Sequence, residues 1–396
     1  MSAAGPKIML VAVEPSGDAL GAALMPALRA ALPGVAFTGC GGPLMAAQGL
    51  ENLFAIDRFA VIGPVEAFSV WREAEKRGLE LAAHAAREGV DAAILIDAWS
   101  FSKLAAERLR RFAPQTRLFK FVAPQVWASR SWRTRRVAEL FEGVLCLFPF
   151  EPPYFERVGV KTAFVGNPNF QNAWANRGQG ARFREKYGLG DRPLLLLAPG
   201  SRRAEIRSLM GVLEKATAML SARLPEMAVA IPVAAAVEAE VARRTRSWTP
   251  RPLLVSPAEK TDAFAAATAA IAKSGTVTTE LAINRAPMVV VYKVDPATYL
   301  WIRAVLRTPF VSILNIAAQR HVLPELLQWS CTPENVAGAA LPLLVGGEAR
   351  TQQLSDLPSL LASLGVDGPP AAGLAARKIR EWLAAPRPRL LTAQKA

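Results

Sequence analysis

The chain has 396 residues, of which 52% are apolar and 20% charged; that excludes a disordered chain and exceeds what one ordinary core holds, so two domains are expected. Lysine and arginine outnumber aspartate and glutamate 47 to 33, a net charge of +14, and such a surface attracts anions, whether nucleic acid, acidic lipid or phosphorylated ligands. Three scattered cysteines and two histidines argue against a disulfide scaffold, fit a reducing cytoplasm, and leave little for a histidine-based zinc site or a Ser-His-Asp triad.

The first apolar run is too short for a signal-peptide core, and no later run reaches the ~18 apolar residues of a spanning helix. A membrane, if it is a partner, is met from its surface. Ile8 to Val13 reads as a buried strand and Ala19 to Leu32 as a helix. Between them lies Glu14-Pro15-Ser16-Gly17-Asp18. In a doubly wound sheet this is the carboxyl edge, where ligands bind. The segment is either a ligand loop or a helix cap, with Ser16 or Asp18 as the capping residue. Val35 to Thr38 is a further strand, followed by the glycine cluster Gly39 to Pro43. Ala93 to Ile96 is a strand ending at Asp97, where a carboxylate could serve as a general base or cap the next helix. Leu118 to Val122 and Val144 to Phe148 complete the first set. Between these two comes a run from Gln125 to Arg136 that interleaves Trp127 and Trp132 with Arg130, Arg133, Arg135 and Arg136. Such a run suits stacking, phosphate binding or a lipid interface, or else is a solvated helix face.

Asn167 to Phe183 is rich in Asn and Gly and reads as a linker. A second set follows: Leu194 to Ala198, Val229 to Pro232, Leu253 to Val255, Ala269 to Ala272 and Met288 to Tyr292. Apolar strands without polar alternation, separated by helical patterns, predict parallel sheets covered on both faces. The expected fold is α/β, with two doubly wound Rossmann-like domains over residues 1–168 and 184–345 facing a cleft. A helix and basic tail over 366–396 could pack back on the first domain. In the second set, Gly200, Ser201 and Arg202 form a small-residue turn with an arginine, a good pyrophosphate grip. Ser274, Gly275 and Thr276 repeat that logic, and Glu280 could accept ribose hydroxyls. No P-loop and no D-x-D pair is present, so arginine and helix dipoles would offset phosphate charge without a metal.

Taken in order, VEPSGDALGA, GCGGPLM, VIGPVEAF, the Asp97 strand end, FVAPQVWASR, LFPFEPPYFERVGV, LLAPGSRRAEI, KSGTVTTELA and SILNIAAQRHVLPELLQ resemble the lipid-A-disaccharide synthase family over nearly the whole chain. The resemblance implies a GT-B type, inverting, metal-independent glycosyltransferase without a cofactor. It implies transfer of 2,3-diacylglucosamine from its UDP conjugate to 2,3-diacylglucosamine 1-phosphate through a β-1,6 link. It implies an enzyme peripheral to the inner face of the bacterial cytoplasmic membrane, with an anionic membrane surface as partner and no nucleic acid; a homo-oligomer is left open. By motif, Asp97 would be the base, with Glu14 beside it. Ser16, Asp18 and Gln125 would line the acceptor side, with the Trp-Arg run toward lipid. Gly200, Ser201, Arg202, Ser274, Gly275, Thr276, Glu280, Asn315 and Glu325 would serve the UDP-sugar. Ser100 stands where many relatives have a second aspartate, Asn167 where many have histidine, and Val13 where glycine is common before Glu14. The single-base reading survives these departures. A sugar-nucleotide 2-epimerase would share the two-domain cleft but has no use for the Trp-Arg run or acyl pockets. A non-enzymatic basic membrane-binding protein would account for the charge but not for the paired nucleotide loops.

Overall fold

The computed structural model describes residues 5–56, 66–128, 132–306, 308–388 and 390–391. The chain divides into two compact units, Met1–Pro168 with Gly368–Ala396, and Asn169–Asp367.

The first unit is built on seven parallel strands: β1 (Lys7–Val11), β2 (Ala36–Cys40), β3 (Glu51–Asn52), β4 (Ala92–Ile96), β5 (Arg117–Phe121), β6 (Gly143–Cys146) and β7 (Lys161–Phe164). Their spatial order is β3-β2-β1-β4-β5-β6-β7. Every residue of β4, β5 and β6 is buried, as an apolar parallel sheet covered on both faces requires. From β1 the chain steps outward to β2, and it then returns to β4 on the other side. The loops after β1 and β4 therefore part, and the crevice at this switch point is where an open α/β sheet receives its ligand.

The helix Ala371–Ala384 belongs to this unit although it comes last in the chain. Its Ile379 and Trp382 share a core with Ile8, Leu10, Ile94 and Phe119. Arg117 then fastens the end of that helix by donating to the carbonyls of Leu383 at 3.0 Å and Ala385 at 2.9 Å.

The second unit repeats the plan with six strands: β8 (Leu194–Ala198), β9 (Ala228–Pro232), β10 (Leu253–Val255), β11 (Ala269–Lys273), β12 (Met288–Tyr292) and β13 (Glu325–Leu327). They lie in the order β10-β9-β8-β11-β12-β13, all parallel. Its switch point falls between β8 and β11, so the loops at Pro199–Arg202 and Ser274–Gly275 flank one crevice.

Two sequence expectations change here. The stretch expected as a linker contains the helices Pro168–Ala175 and Gly180–Lys186. Buried Phe170 and Phe183 supply the anchoring that aliphatics give elsewhere. Gly178 lets this segment lie against its own unit, because a Cβ there would sit 1.9 Å from the Thr261 carbonyl oxygen. The second unit also continues past residue 345 through the helix Glu348–Ser363. The amide of Gln353 on that helix bonds both the N–H and the C=O of Met288, at 2.9 and 3.2 Å.

Candidate active site

In the first unit the two motifs at the switch point meet, although 81 residues separate them. The Ser16 hydroxyl donates to Oδ2 of Asp97 at 3.0 Å. Glu14 sits at the N-cap of the helix Pro15–Ala31 with extended backbone and makes no side-chain cap. Burial raises its carboxyl above the usual range, the negative charge of Asp97 adds to this, and Lys120 opposes it.

Asp97 and Ala98 both have left-handed backbone, with φ of 51° and 37°, and Val122 across the strand ends has φ of 72°. Each such non-glycine residue costs on the order of 1–3 kcal/mol, most for β-branched valine. Hydrogen bonds to both main-chain groups of Asp97 hold the turn. The Asp97 N–H donates to the Phe121 carbonyl at 3.0 Å. The Asp97 carbonyl accepts from the Ser102 hydroxyl at 2.7 Å and from the Lys120 ammonium. Lys120 is 1% exposed. It went unremarked in the sequence because it stands mid-strand between two phenylalanines; a lone charge in a strand buried on both faces was the available signal. Burial pushes its ammonium down to about 7, against the pull of Asp97 and Glu14.

The structure assigns other expected residues to different work. Asp18 is buried, and its carboxylate accepts the N–H groups of Gly42, Met45 and Leu44 at 2.8, 2.9 and 3.0 Å. It caps the short helix Pro43–Ala47 rather than facing an acceptor. Trp127, expected toward lipid, is buried. Its indole N–H donates to Glu151 at 3.3 Å and its ring meets Phe150 edge-on at 5.4 Å. Gln125 and Trp132 are exposed, as is Arg135. Arg136 is engaged by ion pairs to Glu139 on its own helix and to Glu107 on the helix Trp99–Phe112, both at 2.5 Å. Arg133 lies with its guanidinium 5.9 Å from the Trp132 ring. Arg130 lies outside the described residues. Ser100 is exposed and Asn167 is buried.

In the second unit, a cavity of about 590 Å³ opens at the switch point, lined by Gly200, Ser201, Arg202, Glu205, Lys273, Gly275, Thr276 and Glu280 among others. Gly200 has φ of 113°, and a Cβ there would sit 2.2 Å from Oε2 of Glu205. That close approach lets one carboxylate oxygen take the N–H groups of Ser201 and Arg202, at 3.0 and 3.2 Å. The other oxygen pairs with the Lys273 ammonium at 3.0 Å. Burial raises the Glu205 carboxyl, but Lys273 and the two N–H groups outweigh it and hold it below the usual range. The Arg202 side chain is 81% exposed and lies 3.6 Å from the carboxylate of Glu205. Glu280 pairs with Lys260 at 2.5 Å. The helix Thr276–Ile283 begins at the cavity and directs its first N–H groups there. The Lys273–Glu205 and Lys260–Glu280 pairs escaped the sequence reading because the partners are remote in the chain.

Ser274 spends its hydroxyl on the Val311 carbonyl at 2.9 Å. Asn315, fully buried, fills both amide donors and both acceptor positions with Leu323, Glu325 and Val322. Glu325 accepts from Val311 and Ser312 at 3.0 and 2.9 Å. Asn315 and Glu325, expected on the donor side, brace the segment behind Ser274.

The family model of lipid-A-disaccharide synthetase matches residues 8–364. The chain belongs to that family. A lipid-A-disaccharide synthase of Rhodospirillum centenum is 40% identical over 94% of this chain and 93% of its own. One of Myxococcus xanthus is 36% identical over 96% and 98%. Among solved structures, MnaA of S. aureus with UDP aligns over 98% of this chain and all of its own, with TM-score 0.61 and 15% identity. The glycotransferase of kitacinnamycin aligns over 96% and 99%, with TM-score 0.59 and 17% identity. At such identity these two show the shared fold. As a lipid-A-disaccharide synthetase, the chain is a glycosyltransferase of lipid A biosynthesis that uses a UDP-sugar. The family's substrates are UDP-2,3-diacylglucosamine and 2,3-diacylglucosamine 1-phosphate, joined by a β-1,6 link with release of UDP. Among the described residues, no helix is long and apolar enough to cross a membrane.

Proposed function

We propose that the chain carries out this transfer with inversion and without a metal, using Asp97 as base. The carrying observation is the Asp97 carboxylate, held by Ser16 at the first switch point on a left-handed turn. The carboxylate takes the proton of the acceptor 6-hydroxyl as its oxygen attacks C1 of the donor sugar. The bond from C1 to the diphosphate oxygen breaks, and UDP leaves on the opposite face. Glu14 shares the site as a second carboxylate of altered basicity. In the second unit, Arg202, Lys273 and the helix start at Thr276 gather positive charge around the cavity, which suits the developing charge of a departing diphosphate. Gly200 and Ser201 provide the close approach, and Glu280 suits a ribose hydroxyl.

Association with an anionic membrane from one side belongs to the same reading. It is supported by acylated substrates, the +14 charge and the exposed Trp132 and Arg135.

UDP release, measured with each lipid substrate alone and with both, tests the function. Release is expected only with both, with a β-linked product and undiminished rate in excess EDTA. Release from the donor alone would favour a sugar-nucleotide enzyme of another kind. Loss in EDTA restored by Mg²⁺ would overturn the metal-free account.

A further inference from the structure

The largest unexplained feature of the first unit is a fully buried lysine. Lys120 lies on β5 opposite Leu95, between Phe119 and Phe121, both buried. Its Nζ donates to three carbonyl oxygens: Leu95 at 3.2 Å, Phe121 at 3.2 Å and Asp97. An ammonium has three N–H donors, and here each has an acceptor. A neutral amine has two, so deprotonation releases one of these carbonyls. The three carbonyls belong to the two strand ends that carry the left-handed residues Asp97, Ala98 and Val122. The charged groups acting on the ammonium are Asp97, at the end of β4, and Glu14, after β1.

The geometry points to Lys120 as the positioning residue of the catalytic site: its ammonium clamps the Asp97 turn from beneath and supplies the positive charge beside which Asp97 and Glu14 coexist. This deepens the proposed function and rests on Asp97 being the base. Lys120 does not touch substrate. It acts through the main chain of Asp97, while Ser16 holds that residue's carboxylate from above. Removing the ammonium takes one donor from each of three carbonyls, leaving Phe121 with the Asp97 N–H and Asp97 with the Ser102 hydroxyl, and lets a strained turn relax, which moves the base. A displacement of about 1 Å at a reacting group costs on the order of a hundredfold in rate. Because burial depresses the ammonium, the clamp opens on the alkaline side, and turnover falls there with it.

The test uses the full chain with both lipid substrates. Lys120→Met is expected to lower kcat about ten- to a hundredfold while the KM for the donor, bound by the second unit, stays near the wild-type value. Lys120→Arg keeps a permanent charge and is expected to move the alkaline limb of the kcat profile to higher pH. Carbon NMR of ε-labelled lysine, with Lys120 identified by its absence in Lys120→Arg, follows the ammonium directly. In Asp97→Asn that titration is expected to move further down, because the attracting carboxylate is gone. Profiles of unchanged shape in Lys120→Arg, or an unmoved Lys120 titration in Asp97→Asn, overturn the proposal. If Lys120→Met does not fold, those two measurements still decide it. Normal turnover in Asp97→Asn would sink the base assignment separately, since the Lys120 titration in that variant is read without activity.

Discussion

At the first switch point, left-handed backbone falls on Asp97, Ala98 and Val122, and a lysine is sealed under the loop. At the second, the left-handed residue of the loop after β8 is Gly200, for which that conformation is cheap, and the nearby lysines and glutamates pair at the rim of an open cavity. The same fold and the same topological position have thus been finished in two ways. On the proposed mechanism, strain and buried charge sit where a proton is moved, because they fix one side chain in one place. On the same reading, a glycine turn, a helix start and cations at the rim of a cavity suit a site where a diphosphate is held and then released.

The variant that separates the two most strongly is Asp97→Asn. It is expected to cut kcat by roughly a hundredfold or more and to leave UDP affinity, measured calorimetrically, as in wild type. A matching fall in UDP affinity would erase the division of labour, and near-normal turnover would move the base to Glu14. The next effect concerns stability. Burial pushes the Glu151 carboxyl up from 4.5 to about 7, against hydrogen bonds from Phe148, Trp127 and Leu147. A raised acid favours the folded state fully below 4.5, and that stability is lost as pH rises through about 7; a shift of this size is worth at most about 3 kcal/mol. Lys120 has the opposite sign: its contribution is full above 10.5 and is lost as pH falls through about 7. Urea unfolding is expected to show the first slope in wild type and to lack it in Glu151→Gln. An unchanged slope in that variant would assign the pH response to other groups.

Most strands were legible because apolar runs without alternation leave few alternatives: Leu194 to Ala198, Met288 to Tyr292 and, at an edge, Leu253 to Val255 coincide with β8, β12 and β10. The edge strands β3, β7 and β13 were not, since Glu51–Asn52, Lys161–Phe164 and Glu325–Leu327 are short and carry polar residues. At the site, local chemistry singled out Ser16 and Asp97, but only the fold brings them to 3.0 Å. Asp18 shows the converse. Whether a carboxylate in a small-residue loop binds a ligand or caps a helix depends on where residues 42–45 arrive, and no local pattern encodes that. Trp127 misled for a related reason: next to arginines it resembles an interface residue, while its partners Glu151 and Phe150 come from a later loop.

A smaller effect probes the binding half. Gly200→Ala would place a Cβ 2.2 Å from Oε2 of Glu205 at a φ of 113°, forcing the loop or the carboxylate aside. The N–H groups of Ser201 and Arg202 would lose their shared acceptor. Weakening of UDP binding by about tenfold, equivalent to ~1.4 kcal/mol, is expected, with kcat at saturating donor little changed. A large fall in kcat with intact UDP affinity would mean that this loop takes part in the chemical step as well as in binding.

The smallest expected effect lies on the surface of the first unit, where the structure narrows the Trp-Arg run to a few residues. Trp127 is buried, and Arg136 is held by Glu107 and Glu139, so neither is placed to meet lipid. Trp132 is 63% exposed, and the Arg135 side chain is 58% exposed, with Glu139 3.9 Å away. A basic residue near an anionic bilayer contributes about 1 kcal/mol, roughly fivefold in partitioning. Arg135→Gln should therefore weaken co-sedimentation with anionic vesicles about fivefold, and Trp132→Ala should add to the loss because tryptophan favours the headgroup level. Both effects should shrink in high salt, where the screening length falls from ~10 Å at 0.1 M to ~3 Å at 1 M. Arg136→Gln is the control: it breaks two ion pairs within the unit and should lower stability slightly while vesicle binding persists. If Trp132→Ala combined with Arg135→Gln binds vesicles as wild type does, the run is a solvated helix face. The +14 charge would then engage the bilayer through a different surface.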